Sequence, residues 1–161
     1  MRFQVLLLCL WVPLLTQAAQ QKFQFISLDA ENQLVLLDAD GRSLAPAKQL
    51  GQVSCAQPAI SPDRLTAGWA ITVENCCTSY PIPTTLVIFR NGKIIRRFSD
   101  KWMIYKWMFR DGSKQIVMET GTVHFMEVRH MLLFDVESGR KLRDWTGDLG
   151  TSPKWGQALK P

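Results

Sequence analysis

One unit occurs twice in this chain of 161 residues. Pro62-Asp63-Arg64 opens a strand-like run that ends near Glu74, and Asn91-Gly92 closes a second hairpin. Arg110-Asp111-Gly112 opens another such run, and Ser138-Gly139 closes it. The opening turns lie 48 residues apart, from 63 to 111, and the closing turns 47 apart, from 92 to 139. Self-similarity at such a period marks a repeat architecture, in which each period is one supersecondary unit that needs its neighbours to bury its apolar face. The constraint falls on fold and surface geometry rather than on chemistry.

The periodicity inside each unit is that of strands. Leu65, Ala67, Trp69, Ile71 and Val73 alternate with Thr66, Gly68, Ala70, Thr72 and Glu74, the period of two expected of a half-buried strand. Leu86-Val87-Ile88-Phe89 is apolar throughout, as a strand covered on both faces would be. Asn91-Gly92 is a strong hairpin turn because both residues tolerate positive φ, and Lys93 to Phe98 returns as the next strand. The second unit repeats the order with strands at Met103 to Phe109, Lys114 to Thr120, Met131 to Asp135 and Lys141 to Trp145. Upstream, Leu34 to Leu37, a turn at Asp38 to Gly41, and Arg42 to Ala45 read as the second half of an earlier unit. Trp69 and Trp107 fall within alternating strands and are expected in the core.

Ile60-Ser61-Pro62-Asp63, ahead of a strand and its hairpin, resembles the repeat of TolB-type and WD40-like β-propellers. Phe109-Arg110-Asp111-Gly112-Ser113 is similar to the same turn without its proline, and the likeness covers about Val53 to Gly147. Propellers close with about 4 to 8 blades, and this chain holds fewer than three. The expected fold is therefore all-β: two to three four-stranded antiparallel meander units resembling propeller blades, not a complete single-chain propeller. Such sheets either pack face to face as a small sandwich or rely on association between copies to cover their exposed faces. Asn75 to Pro83 also resembles a segment of small exported bacterial proteins, a likeness that implies no activity.

The first residues read as an address. Met1-Arg2 is a short positive start, Val5 to Leu15 is an apolar run interrupted only by Pro13, and Thr16-Gln17-Ala18 offers small residues to a peptidase. This is the layout of a signal peptide, too short in its apolar part to span a bilayer. Leu8 is too bulky for the small residue expected ahead of a lipidated cysteine, which argues against a lipoprotein at Cys9. Cleavage after Ala18 would leave residues 19–149 as a single domain and 150–161 as an irregular tail, with no transmembrane segment in the mature chain. The expected location is periplasmic or secreted.

The formal net charge is +5, and the excess is local. Arg90, Lys93, Arg96, Arg97, Lys101, Lys106, Arg110 and Lys114 fall in one stretch with only Asp100 and Asp111 to oppose them. They read either as solvated strand faces and edge protection or as a surface for an anionic partner such as a cell-envelope polymer or an acidic protein. Nothing matches a nucleic-acid-binding motif, so no nucleic acid is expected.

In a four-stranded meander the second connections share one rim. These are Asn75 to Pro83 and Gly121 to Arg129, and long loops on a rigid scaffold are where binding concentrates. The candidate partner-binding residues are Tyr80, Pro81, His124, Phe125 and Arg129. The mature chain keeps Cys55, Cys76 and Cys77, and in an oxidising compartment three cysteines imply one disulfide and one leftover thiol. The expected pairing joins Cys55 to one of its two distant partners, with a vicinal Cys76–Cys77 ring as the alternative. Hairpin register places Cys55 opposite Ala70, so a bond from it requires the Asn75 to Pro83 loop to fold back along the sheet.

Enzymatic signals are sparse: no nucleophile elbow, no His-Glu-x-x-His and no glycine-rich phosphate loop occurs. No cofactor and no catalytic residue is assigned. The expected activity is non-catalytic binding, to an envelope or secreted protein or to a second copy. The alternative is a metal or thiol site built from Cys76, Cys77 and His124, with His130 as a further metal ligand.

Overall fold

Left-handed turn residues set the ends of the strands. In a computed structural model, which describes residues 20–123 and 128–159, Asn91 (φ 49°) and Gly92 (φ 76°) occupy the left-handed region, as do Asp111 (φ 49°) and Gly112 (φ 55°). Gly41 (φ 78°) and Gly139 (φ 74°) do the same in matching turns. In each of the latter an aspartate at the strand end, Asp38 or Asp135, accepts backbone N–H groups of the turn through Oδ1.

The strands are β1 (Phe23–Leu28), β2 (Leu34–Asp38), β3 (Ser43–Leu44), β4 (Ser54–Ile60), β5 (Ala67–Val73), β6 (Ile82–Arg90), β7 (Lys93–Ser99), β8 (Met103–Arg110), β9 (Gln115–Gly121), β10 (Val128–Asp135) and β11 (Lys141–Asp148). They form three antiparallel sheets: β1-β2-β3, β4-β5-β6-β7 and β8-β9-β10-β11. The fold is all-β, with sheets of three, four and four strands in chain order. The half unit expected upstream gains a strand, β1, which the sequence pattern had left unassigned. Among the described residues the first sheet has no strand equivalent to β4 and β8, and one edge of β1 pairs with no other strand. Arg64 covers one end of that edge: its backbone C=O accepts from Phe23 N–H, and its guanidinium donates to the carbonyls of Phe23 and Gln24.

The sheets stack in chain order, and the middle one is covered on both faces. Ala67, Trp69, Ile71, Val87 and Phe89 pack with Phe23 and Leu36 of the first sheet. Ala70, Leu86 and Ile88 pack with Trp107, Phe109, Ile116, Met118, Leu132 and Phe134 of the third. The apolar run Leu86 to Phe89 is buried throughout, as its composition requires. Burying each such aliphatic or aromatic side chain contributes about 1.5–3 kcal/mol. β5, expected to be half-buried, is instead buried on both faces. Its small residues allow this: the position of a Cβ on Gly68 lies 2.6 Å from Cη2 of Trp107, so a larger residue there would drive the second and third sheets apart. Trp107 is fixed by a hydrogen bond from Nε1 to the carbonyl of Gln57 (3.0 Å).

Register exposes an equivalence between the three sheets. Phe25 and Ser27 pair with Leu37 and Val35 in the first, Ala67 and Trp69 with Phe89 and Val87 in the second, Ile116 and Met118 with Phe134 and Leu132 in the third. The second and third sets receive the preceding sheet. The first set receives nothing among the described residues, and Phe25 remains 48% exposed.

The opposite end of the stack is closed. Within the segment expected to be an irregular tail, the described residues to 159 hold two 3-10 turns, Leu149–Thr151 and Gln157–Leu159. Leu159 and Trp155 pack on Val117 and Leu133 of the third sheet, while Lys106 and Arg110 donate to the carbonyls of Leu159 and Trp155. Two members of the basic stretch are thereby used to hold the tail.

Candidate functional site

The opening and closing turns of the second and third sheets gather at one end of the stack, around a cleft of about 360 Å³ walled by Asp63, Arg90, Lys114, Asp135 and Glu137. Its charges answer one another: Arg90 pairs with Glu137 (3.1 Å) and donates to Thr66, and Asp63 accepts from Ser61 and from the N–H of Leu65. Arg97, elsewhere in the basic stretch, donates to Gln49. Arg90 and Arg97 of the basic stretch are thus each held by a contact within the fold.

The connection from β5 to β6 leaves from the other end, and here Tyr80 is 56% exposed and Pro81 exposed. A short relay orders the loop. Asn75 donates through Nδ2 to Thr78 Oγ1 (3.3 Å), and Thr78 Oγ1 donates to the carbonyl of Tyr80 (2.6 Å). His124 and Phe125 lie outside the described residues, as does the cleavage position at Ala18. Arg129 is not an open rim residue: it is 4% exposed, its guanidinium lies 2.9 Å from Glu119 Oε1, and it stacks over the ring of Tyr105 at 4.0 Å. Its charge is used inside the sheet, whereas Tyr80 is presented outward.

The three cysteines are free thiols, and the bridge expected from Cys55 is not made. Gln57 takes a left-handed conformation (φ 52°) within a bulge between Ala56 and Ala59. The turn pairs Ile60 with Ala67, two residues further along than a tight hairpin about Pro62-Asp63 would, and the bulge takes back one of the two, so Cys55 faces Ile71 rather than Ala70. Its side chain enters the core between the first and second sheets at 3% exposure. Burial pushes the thiol above its ordinary range, against the opposing hydrogen bond from Gln52. Cys76 and Cys77 lie beyond the end of β5 on the exposed loop, with their Sγ atoms 2.7 Å apart.

A cluster that no sequence spacing announces lies where the second sheet hands over to the third. Asp100, in the β7–β8 connection, accepts from Thr120 Oγ1 (2.5 Å) and contacts His130 Nδ1 (2.8 Å). Trp102 meets the His130 ring edge-on at 5.8 Å, and Lys101 Nζ lies 4.3 Å over the same indole. The partners are separated by 20 and 30 residues, so only the pairing of β9 with β10 brings them together. Because Thr120 donates to the carboxylate rather than to the imidazole, the arrangement is a structural clamp between sheets, not an activated nucleophile. Among the described residues no three His, Cys, Asp or Glu side chains converge to hold a metal ion, and no helix is long and apolar enough to cross a membrane.

Burial works to raise the pKa of Asp100, but the hydrogen bonds from Thr120 and His130 outweigh it and hold the carboxyl below the usual carboxylate range. A depressed pKa in the folded state stabilises above the unfolded value, near 4, and the contribution fades as pH falls through the folded value. Asp100→Asn is expected to lower stability at pH 7 by about 1.5–3 kcal/mol, the usual worth of hydrogen bonds to a charged group. The gap between wild type and variant should close below about pH 4. Urea unfolding of both proteins from pH 7 to pH 3 checks this, and parallel stability curves would refute it.

No family model matches the chain, and no curated protein does. Among solved structures, it is similar to hydrazine synthase from Kuenenia stuttgartiensis, with a TM-score of 0.51 and 17% identity over 76% of this chain and 34% of that one. It is also similar to a puromycin-hydrolysing peptidase from Mycobacterium tuberculosis, with a TM-score of 0.47 and 16% identity over 75% of this chain and 21% of that one. Hydrazine synthase contains a propeller, and the likeness to it concerns fold alone: three antiparallel sheets of three to four strands, none closed into a barrel. The chain spans about a third of the first protein and a fifth of the second.

Proposed function

We propose that this protein is a non-catalytic, self-associating β module of the cell envelope, exported by its N-terminal segment, that works by covering its open blade face with a second copy of itself. The observation that carries the reading is the set Phe25, Ser27, Val35 and Leu37. Its equivalents in the second and third sheets are covered by a neighbouring sheet, yet this set receives none among the described residues. The tail closes the far face of the third sheet, so the described residues leave one such face open. One face per chain favours an isologous pair over an open chain of subunits. Pairing across a twofold axis would bury Phe25 of each copy, and burying each phenylalanine contributes about 1.5–3 kcal/mol.

The wild-type protein is expected to sediment as a dimer at micromolar concentration, and Phe25→Glu as a folded monomer with an unchanged circular dichroism spectrum. A wild-type monomer, or a Phe25→Glu dimer, would overturn self-association through this face. Capture of an envelope or secreted protein by a wild-type monomer, lost in Phe25→Glu, would keep the face and replace its occupant.

A further inference from the structure

We propose that Cys76 and Cys77 form a redox site of their own, closing to a vicinal disulfide in exchange with a small disulfide oxidant such as oxidised glutathione. Two independent features carry this. First, Cys55 is removed from disulfide chemistry by its place in the core, so of the described cysteines only the vicinal pair remains within reach of an oxidant. Second, the loop already holds the two Sγ atoms 2.7 Å apart at exposed positions, whereas the covalent bond needs about 2.05 Å. Little further approach is required, and no part of the sheet has to move. The contact also raises the Cys77 thiol above its ordinary range, since its proton is shared with Cys76 and a neighbouring thiolate opposes ionisation.

The chemistry balances as a thiol–disulfide exchange. A thiolate of the pair attacks one sulfur of the oxidant disulfide, giving a mixed disulfide and releasing one equivalent of the small thiol. The second cysteine, as its thiolate, then attacks the sulfur of the first and displaces the other equivalent. Two protein thiols lose two protons and two electrons, and the oxidant disulfide is reduced to two thiols. The ring fixes the backbone at 76 and 77, and with it the loop whose Asn75–Thr78–Tyr80 relay presents the exposed Tyr80. The site stands apart from the proposed docking face and does not depend on it.

The test uses the full chain equilibrated with oxidised glutathione, then unfolded, alkylated with iodoacetamide and digested with trypsin. Both cysteines fall in one peptide, Leu65 to Arg90, while Cys55 falls in Gln49 to Arg64. The expected result is a Leu65–Arg90 peptide lighter by two hydrogens and unlabelled, beside a fully alkylated Cys55 peptide. Retained glutathione, full alkylation of Cys76 and Cys77, or a bridge to Cys55 or to another chain would each overturn the proposal. A Cys77→Ser variant should hold glutathione on Cys76, because the displacing thiol is gone. If that variant and the wild type keep the adduct equally, the ring-closing step is refuted.

Discussion

Replacing Arg129 with alanine is expected to destabilise the fold by about 3–5 kcal/mol, the cost of breaking a buried ion pair by removing one partner. For a domain of this size that corresponds to a fall of roughly 10–20 °C in melting temperature. The argument rests on burial: the side chains of Arg129 and Glu119 are 5% and 7% exposed, with 2.9 Å between guanidinium and carboxylate. Removing the guanidinium leaves a carboxylate out of water without its counter-charge and strips the cation from the face of Tyr105. The double variant Glu119→Leu/Arg129→Met should recover most of the loss, since a well-packed apolar pair avoids the desolvation penalty that the ion pair has to offset. Thermal unfolding of the three proteins decides it. A single variant melting within two or three degrees of wild type would show the pair to be solvated, and would restore Arg129 as a candidate surface residue.

Deleting residues 149–161 is expected to do two things at once. It uncovers Val117 and Leu133 and removes Leu159, a loss of roughly 3–9 kcal/mol if two or three apolar side chains lose their cover at about 1.5–3 kcal/mol each. It also leaves the third sheet with an open face like those through which the first and second sheets cover their successors. Each chain then carries a giving face and a receiving face, a heterologous contact that need not close. Sedimentation velocity should show assemblies that grow with protein concentration, and adding Phe25→Glu to the truncation should suppress them. A truncated protein that keeps wild-type stability and size would mean that the tail is no cap.

These two predictions concern residues whose roles the sequence left open or misplaced. Sequence alone puts Arg129 on the binding rim because it ends a long loop; its burial follows from Glu119, on the neighbouring strand, and from Tyr105, two strands away. The tail carries no strand period, yet Trp155 and Leu159 need only a sheet face to cover. Tyr80, by contrast, was legible: a loop residue between strands, next to prolines, has little to bury against, and it is exposed.

By itself the sequence determined most of the strands, though not β1, and the turns that join them. Those depend on neighbours within a few residues: alternation along β5, the positive φ that Asn91-Gly92 and Gly139 accept, and the aspartates that cap Asp38–Arg42 and Asp135–Arg140. Only the tertiary structure decided which faces are covered. Gly68 and Ala70 read as the weaker side of a strand until Trp107, from the next sheet, lies against them. The wider turn between β4 and β5, together with the bulge at Gln57, decided which residue faces Cys55. The Asp100–Thr120–His130 clamp and the open Phe25 face are of the same kind, because sheet stacking joins residues that no local period relates.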